Sequence, residues 1–456
     1  MYFLYSLLLA IGFVILIPRF LLDALINGKY VAGFSERLGN LPPLTDSTHP
    51  RIWIHCVSVG EVQAARPLAS ALRRSYPLHR LLISTTTLTG QRVAREVFSN
   101  QADSVFYFPF DWAWTTRRAL RKLNPAAVLL METELWPRLL RECRKRNVPV
   151  AIVNGRISNN SFRRYRWIRK FVARVVNDVT LALMQTEDDA ARIRQLGVER
   201  GRAVVTGNLK FDPVDDAGEE RLTALLQERF GFDDPDQLII AASTHSPEEG
   251  VVLEAFRRIK NATQDERNLR LLIAPRHPER FSEVAALLDH SGRTWSRRST
   301  ASSATDKDSE IVLLDTVGEL RALYPLASIV FVGGSIASAG GHNILEPAAN
   351  GACIVTGPHT SNFSAIVSDF RAEEALIQLP DGPREVFAAE LARVWSELLT
   401  NKTHRSEIGR RAKALCEGSR GATQRTLDLL APILAPAADS EVAVPTYPGH
   451  PALVAK

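Results

Sequence analysis

Short apolar runs alternate with stretches of helical periodicity from Arg51 to about Thr206, and after an interruption the alternation starts again. The first runs are Ile52–Val57, Leu81–Thr85, Ala127–Met131, Val150–Val153 and Ala203–Thr206. Helical patterns lie between them at Val62–Arg74, Thr89–Phe98, Thr115–Leu123, Leu135–Lys145 and Ala190–Leu196. A helix between two strands carries the chain back over the sheet, so the next strand lies parallel to the last. Repetition therefore predicts an α/β chain with a doubly wound parallel sheet. The later runs, Leu238–Ala242, Leu269–Ala274, Ile311–Leu314, Ile329–Val332 and Cys353–Val355, predict a second sheet of the same kind. Gly207 to Glu220, with DPVDDAGEE, reads as the linker, and two such halves put a ligand cleft between them. Arg297 to Asp308 reads as a surface loop. The last helix is expected at about Ala422–Leu434, before a Pro/Ala-rich tail, Ala435–Lys456, expected to be disordered.

Sheets of this kind bind ligands beyond the carboxyl ends of their strands. Ser58-Val59-Gly60-Glu61, Glu132-Thr133-Glu134 and Gly207-Asn208-Leu209-Lys210 stand at such ends in the first half. In the second half stand PRHPER (Pro275–Arg280), Asp315 with Val317-Gly318-Glu319, and a glycine-rich loop from Gly333. A single carboxylate at a helix start is ordinarily dipole compensation. Six such spots mixing acids with Arg and Lys predict a polar ligand. The glycine loop pairs Gly333-Gly334 with Gly340-Gly341 and runs through His342 and Asn343 into a helix carrying Glu346. Paired glycines let backbone approach a ligand, and helix-start N–H groups favour an anion. Glu346, one turn in, can accept both hydroxyls of a ribose. The loop is neither GxGxxG nor a P-loop, and a tight turn also fits it. With Arg276, this half suits a nucleotide phosphate, whereas Glu61 and Glu132 suit acid–base work. No DxD stands at these strand ends and the histidines lack ligand spacing. The phosphate charge then falls to Arg, Lys and helix N-termini, and no metal or cofactor is expected.

Tyr2 to Ile17 is uncharged and almost wholly apolar, near the lower length limit for a membrane span. It lacks the positive start and the A-x-A site of a signal peptide. Arg19, Lys29 and Arg37 follow it, so an uncleaved anchor with the bulk of the protein on the cytoplasmic side is expected. In Ser161–Val176, Arg163, Arg166, Lys170 and Arg174 share one helical face, with Trp167, Ile168, Phe171, Val172 and Val175 largely opposite. An ordinary amphipathic surface helix and a membrane-surface contact both fit; the N-terminal segment favours the second. A net charge of +6 fits an anionic partner but gives nucleic acid little support. Cys56, Cys143, Cys353 and Cys416 are scattered without a CxxC, which fits a reducing compartment.

The stretches SVGE (Ser58–Glu61), METELWP (Met131–Pro137), NGRIS (Asn154–Ser158), GNLKFD (Gly207–Asp212), STH (Ser243–His245), PRHPERF (Pro275–Phe281), GEL (Gly318–Leu320), GGSxxxxGGHNxLEP (Gly333–Pro347) and GPHTxNF (Gly357–Phe363) follow one another in this order. Through them the sequence resembles the 3-deoxy-D-manno-octulosonic acid (Kdo) transferases of Gram-negative bacteria. The resemblance implies a GT-B fold, two Rossmann-like parallel-sheet domains facing a cleft, with an N-terminal membrane-anchor helix. The divisions expected are a 1–27 anchor, a 28–210 acceptor-binding domain, a 211–434 CMP-sugar-binding domain and a 435–456 tail. It implies inverting, metal-independent transfer of Kdo from CMP-Kdo to the lipid A precursor, lipid IVA, at the cell inner membrane during lipopolysaccharide synthesis. It implies Glu61 as general base, Glu132 assisting it, and Lys210 stabilising the transition state. Pro275 and Arg276, Val317, Gly318 and Glu319, then Asn343, Ile344, Leu345 and Glu346 would hold CMP. Glu36, in ERLG, is a secondary candidate for the base. The alternatives are another GT-B nucleotide-sugar enzyme, a sugar epimerase of that fold, or a membrane-tethered nucleotide-binding scaffold without turnover.

Overall fold

A computed structural model describes residues 2–27, 33–43, 49–212, 218–234, 238–262 and 268–434. The chain divides into two units, Met1–Val214 with Ser419–Lys456, and Asp215–Gly418. The expected tail, 435–456, lies outside the described residues.

In the first unit β1 (Arg51–Cys56), β2 (Arg80–Thr85), β3 (Ser104–Tyr107), β4 (Ala127–Met131), β5 (Val150–Gly155), β6 (Leu181–Met184) and β7 (Ala203–Val205) form one sheet. Their order is β3-β2-β1-β4-β5-β6-β7, and every pairing is parallel. Alternate side chains enter opposite cores: Trp53, Val128, Leu130 and Ile152 on one face, Ile52, Ile54, Leu129 and Ala151 on the other. Helices cover both faces, which is why the strands read as unbroken apolar runs rather than as alternating patterns.

The second unit repeats the plan with β8 (Leu238–Thr244), β9 (Arg270–Pro275), β10 (Trp295–Arg297), β11 (Ile311–Leu313), β12 (Ile329–Val332), β13 (Cys353–Thr356) and β14 (Ile377–Gln378). Their order is β10-β11-β9-β8-β12-β13-β14. The direction of winding reverses between β1 and β4 in one sheet and between β8 and β12 in the other. At such reversals the flanking loops part and leave room for a ligand.

Several expectations need correction. β3, β6, β10 and β14 have no counterpart among the expected runs; SVFY, WSR and IQ carry polar residues that break an apolar run, whereas LALM of β6 is an apolar run missing from that expectation. Part of the expected surface loop at 297–308 is a 3-10 turn, Ala304–Asp308, held because Arg229 Nε donates to Asp306 at 2.8 Å. The basic segment is two helices, Asn159–Trp167 and Arg169–Val176, meeting at Ile168, so its cationic face is not continuous. Val172 and Val175 are buried as expected, but Trp167 and Ile168 are exposed.

The helix Ala422–Leu434 packs with the first unit rather than the second. Leu427, Leu430 and Leu434 join the core that includes Leu68 and Leu72 of the helix Val59–Ser75. Asp212 accepts the N–H groups of Gly421 and Thr423 at its start.

Tyr2–Asn27 is a single helix, but among the described residues no helix is long and apolar enough to cross a membrane. The expected transmembrane helix is therefore not supported among the described residues. The polar groups of its first turns are bound by the folded unit: Tyr2 donates to Asp178 and Tyr5 to Asp111, both at 2.9 Å, and Arg138 Nε donates to Ser6 at 2.7 Å. Phe13 meets Phe110 and Trp112 edge-on. One side of the helix is thus committed to protein.

Candidate active site

Glu61 lies in the first turn of the helix Val59–Ser75, directly after β1. Its carboxylate folds back, Oε2 accepting the Val57 N–H at 2.7 Å and Oε1 the Ser58 hydroxyl at 3.1 Å. The residue is 5 % exposed. Burial, reinforced by the charges of Glu132 and Glu134, pushes its carboxyl up to about 8. Glu132 opens the loop after β4 with φ +55, a left-handed backbone that costs a non-glycine residue about 1–3 kcal/mol. Its N–H is held by the Val153 carbonyl at 2.9 Å. Glu134 is also raised, first by burial and then by Glu132.

Lys210 reaches the same place from the far side of the sheet's winding. It sits in the 3-10 turn Leu209–Phe211, with Nζ 3.5 Å from Glu132 Oε1. Asn154, at the end of β5 with φ +57, accepts the Leu209 N–H at 2.9 Å, and Asn208 accepts the Lys210 N–H at 3.0 Å. Asn154 is a positioning residue that sequence reasoning left without a role; its place at a strand end was the available signal. Its Nδ2 is buried without a hydrogen-bond partner among the described residues. The first unit thus gathers three carboxyl groups and an ammonium where its sheet reverses. Glu36 is not among them, since its Oε2 accepts the Tyr107 N–H at 2.7 Å and anchors the end of β3.

In the second unit, Pro275 ends β9 and Arg276 follows it, exposed, with its backbone N–H on the Thr244 carbonyl at 3.0 Å. Val317 is exposed and Gly318 takes φ +91. Arg298 grips Glu319 through two bonds of 2.8 Å, and Thr316 adds a third at 2.6 Å, so that carboxylate is already committed. Asn343 Oδ1 accepts the Leu345 N–H at 3.1 Å, and its Nδ2 donates to Glu346 at 3.3 Å. Ile344 and Leu345 are buried.

In the glycine loop the N–H groups of Gly334 to Ala337 are not open to a ligand. Glu248, 0 % exposed, already occupies them. Oε1 accepts from Ser335, Ile336 and Ala337 at 2.9, 2.8 and 3.1 Å, and Oε2 from Gly334 and His245 at 2.7 and 2.9 Å. The helix beyond, Leu345–Ala349, spans only 5 residues. The glycines are needed here for close packing: a Cβ on Gly333 would meet Glu248 Oε2 at 2.7 Å. Nothing in the local sequence announces this, because Glu248 is 86 residues from Gly334.

Residues 32–213 match the family described as 3-Deoxy-D-manno-octulosonic-acid transferase (kdotransferase). The chain is 34% identical over 408 residues to a 3-deoxy-D-manno-octulosonic acid transferase of Haemophilus influenzae, covering 89% of this chain and 92% of that one. To the protein of that description from Bordetella pertussis it is 34% identical over 386 residues, 83% and 86% of the two chains. Among solved structures, the UDP-GlcNAc 2-epimerase from Neisseria meningitidis bound to UDP-GlcNAc superimposes with a TM-score of 0.53 at 12% identity, covering 83% of this chain and 99% of that one. That likeness is one of fold. Identity of this extent to the curated relatives, on a chain whose two parallel sheets each place charged groups at their reversal point, establishes that the chain belongs to the 3-deoxy-D-manno-octulosonic acid transferase family.

Proposed function

We propose that the enzyme transfers Kdo from CMP-Kdo to a hydroxyl of the lipid A precursor by direct displacement, with Glu61 as the base. The observation that carries this reading is the buried Glu61 carboxyl, raised to about 8 among neighbouring acids at the end of β1. A base works best when its pKa lies near the working pH. Glu61 takes the acceptor's proton as the oxygen attacks the anomeric carbon. Positive charge grows on the sugar while the bonding pair leaves with the CMP phosphate. Lys210, held beside Glu132, and Arg276 are the cations available to stabilise developing negative charge. The backbone of Val317 to Glu319, with Asn343 and Glu346, supplies polar contacts for the cytidine and its ribose.

The acceptor is a lipid, and we place the protein on the inner membrane through its N-terminal helix. Leu4, Leu7, Leu8, Ile11, Val14 and Ile15 are exposed and recur at helical spacing along the face of Tyr2–Asn27 turned from the protein. A helix of this kind lies in the membrane interface. Trp167, 89 % exposed, and Ile168 stand beside the exposed Arg163, Arg166, Arg169 and Lys170, a pairing that suits an anionic lipid surface. Incubating purified protein with CMP-Kdo and tetra-acylated lipid A precursor, then weighing the lipid, tests the transfer. A mass gain of Kdo is expected; no gain with CMP-Kdo, or consumption of a UDP-sugar instead, refutes the reading.

A further inference from the structure

Because Glu248 fills the N–H groups of Gly334 to Ala337, an anion reaching this end of the second sheet needs other donors, and side chains stand there to supply them. Three histidines converge there. His245 follows β8 and His342 lies beyond β12, the two strands flanking the reversal. Their Nε2 atoms are 2.8 Å apart, so one ring donates and the other accepts. The rings are inclined by 12° with centroids 5.0 Å apart, and His277 meets His245 edge-on at 4.9 Å. The seating is built into the backbone. A Cβ at Gly334 would come within 2.8 Å of the His342 ring, and Glu248 holds the His245 N–H.

We propose that His245 and His342, with His277 and Arg276 beside them, receive the departing phosphate of the nucleotide, and that the histidine pair takes up one proton from solvent as that phosphate binds. The inference rests on the CMP reading above. In the free protein burial lowers both rings, His342 to about 3, and the positive charge of Arg276 adds to the effect. Arg280 acts on His245 in the same sense. Glu249 opposes it, but its carboxylate is shared with Arg280 at 2.6 Å and with the Thr244 hydroxyl at 2.8 Å. An arriving phosphate reverses this balance. Protonation at Nδ1 of the donating ring leaves the Nε2 bond intact and gives that ring a charged Nδ1–H donor. During transfer the bond from the anomeric carbon to the phosphate oxygen breaks, and the pair stays on oxygen. A singly charged diester becomes a monoester whose second pKa is about 6, hence doubly charged at neutral pH. The acceptor's proton goes to Glu61, while the added charge on phosphate meets the imidazolium.

The experiment is calorimetric titration of CMP, and of cytidine, into the full chain at pH 7.5, in buffers of different ionisation heat. Uptake of about one proton per CMP is expected, with CMP affinity falling roughly tenfold per unit rise in pH across the linked range. Cytidine should bind without proton uptake. His342→Gln preserves a hydrogen-bonding side chain but cannot charge; it should abolish uptake and weaken CMP roughly ten- to hundredfold, as expected for loss of a charge-assisted bond. CMP binding without proton uptake by the wild-type protein, or uptake retained in both His342→Gln and His245→Gln, overturns the proposal while leaving the CMP reading intact. Absence of CMP binding by the wild-type protein overturns that reading and the proposal with it.

Discussion

Replacing Glu61 by Gln separates the two consequences of burying that carboxyl. The amide fits the same pocket: its oxygen can accept the Val57 N–H and its NH2 can donate to Ser58 Oγ, so packing is kept. What changes is titration. The carboxyl moves from 4.5 to about 8 on folding. At 1.36 kcal/mol per pH unit, ionising it in place costs about 5 kcal/mol. Because the folded value is the higher one, the protonated group favours the folded state, and stability is lost as pH rises from 4.5 towards 8. Gln has no such loss. Its stability advantage over the wild type should therefore widen by about 3 kcal/mol between pH 5.5 and 9, with little change above that. For a unit of this size that is roughly 6–12 °C of melting temperature. Differential scanning calorimetry across this range reads it, following the first unit's transition. Transfer should fall about 10²–10⁴-fold with CMP binding unchanged. In the wild type kcat/KM should rise with pH to a midpoint near 8, since only about a tenth of Glu61 is ionised at pH 7. A melting difference that stays flat with pH would show that Glu61 does not titrate in this range. A loss of transfer of tenfold or less would place the base elsewhere.

Lys210→Met should lower kcat at least roughly a hundredfold, as loss of a preorganised charge does, while shifting stability by about 1 kcal/mol or less because its pair with Glu132 is partly exposed. An unchanged kcat removes Lys210 from the transition state. Glu248→Ala strips the acceptor from five N–H groups and should destabilise the second unit by at least about 3 kcal/mol, visible as a lowered melting transition; a shift under about 1 kcal/mol would mean that water replaces the carboxylate. Leu8→Asp with Val14→Asp, both on the exposed row, should leave melting unchanged but weaken flotation with anionic vesicles, and high salt should weaken what remains. Undiminished binding by the double variant would exclude this face.

Both sheets and the strand ends that carry Glu61, Glu132, Lys210 and Arg276 were legible because they are local properties. A buried parallel strand must be an apolar run, and the residue after it must stand at the sheet's edge whatever the rest of the chain does. β1, β4, β8 and β12 are of this kind. The family motifs added chemistry to those positions. The pattern failed where polar residues break a short strand, as in WSR of β10 and IQ of β14, and where a break such as Ile168 has no Gly or Pro to mark it.

Tertiary structure alone decided how the polar groups are spent. Glu248 and Gly334 are far apart in sequence, and only the adjacency of β8 and β12 turns an inviting anion loop into a filled one. The same adjacency brings His245 to His342, neither of which has ligand spacing in the chain. Asp212 draws the last helix back to the first unit, and Asp111 and Asp178 hold the first turns of Tyr2–Asn27 against that unit. The physical reason is common to these cases. Apolar burial is written into each segment's composition and pattern, whereas a buried carboxylate or imidazole is stable only with partners, and those partners are supplied by whichever segments the fold makes neighbours.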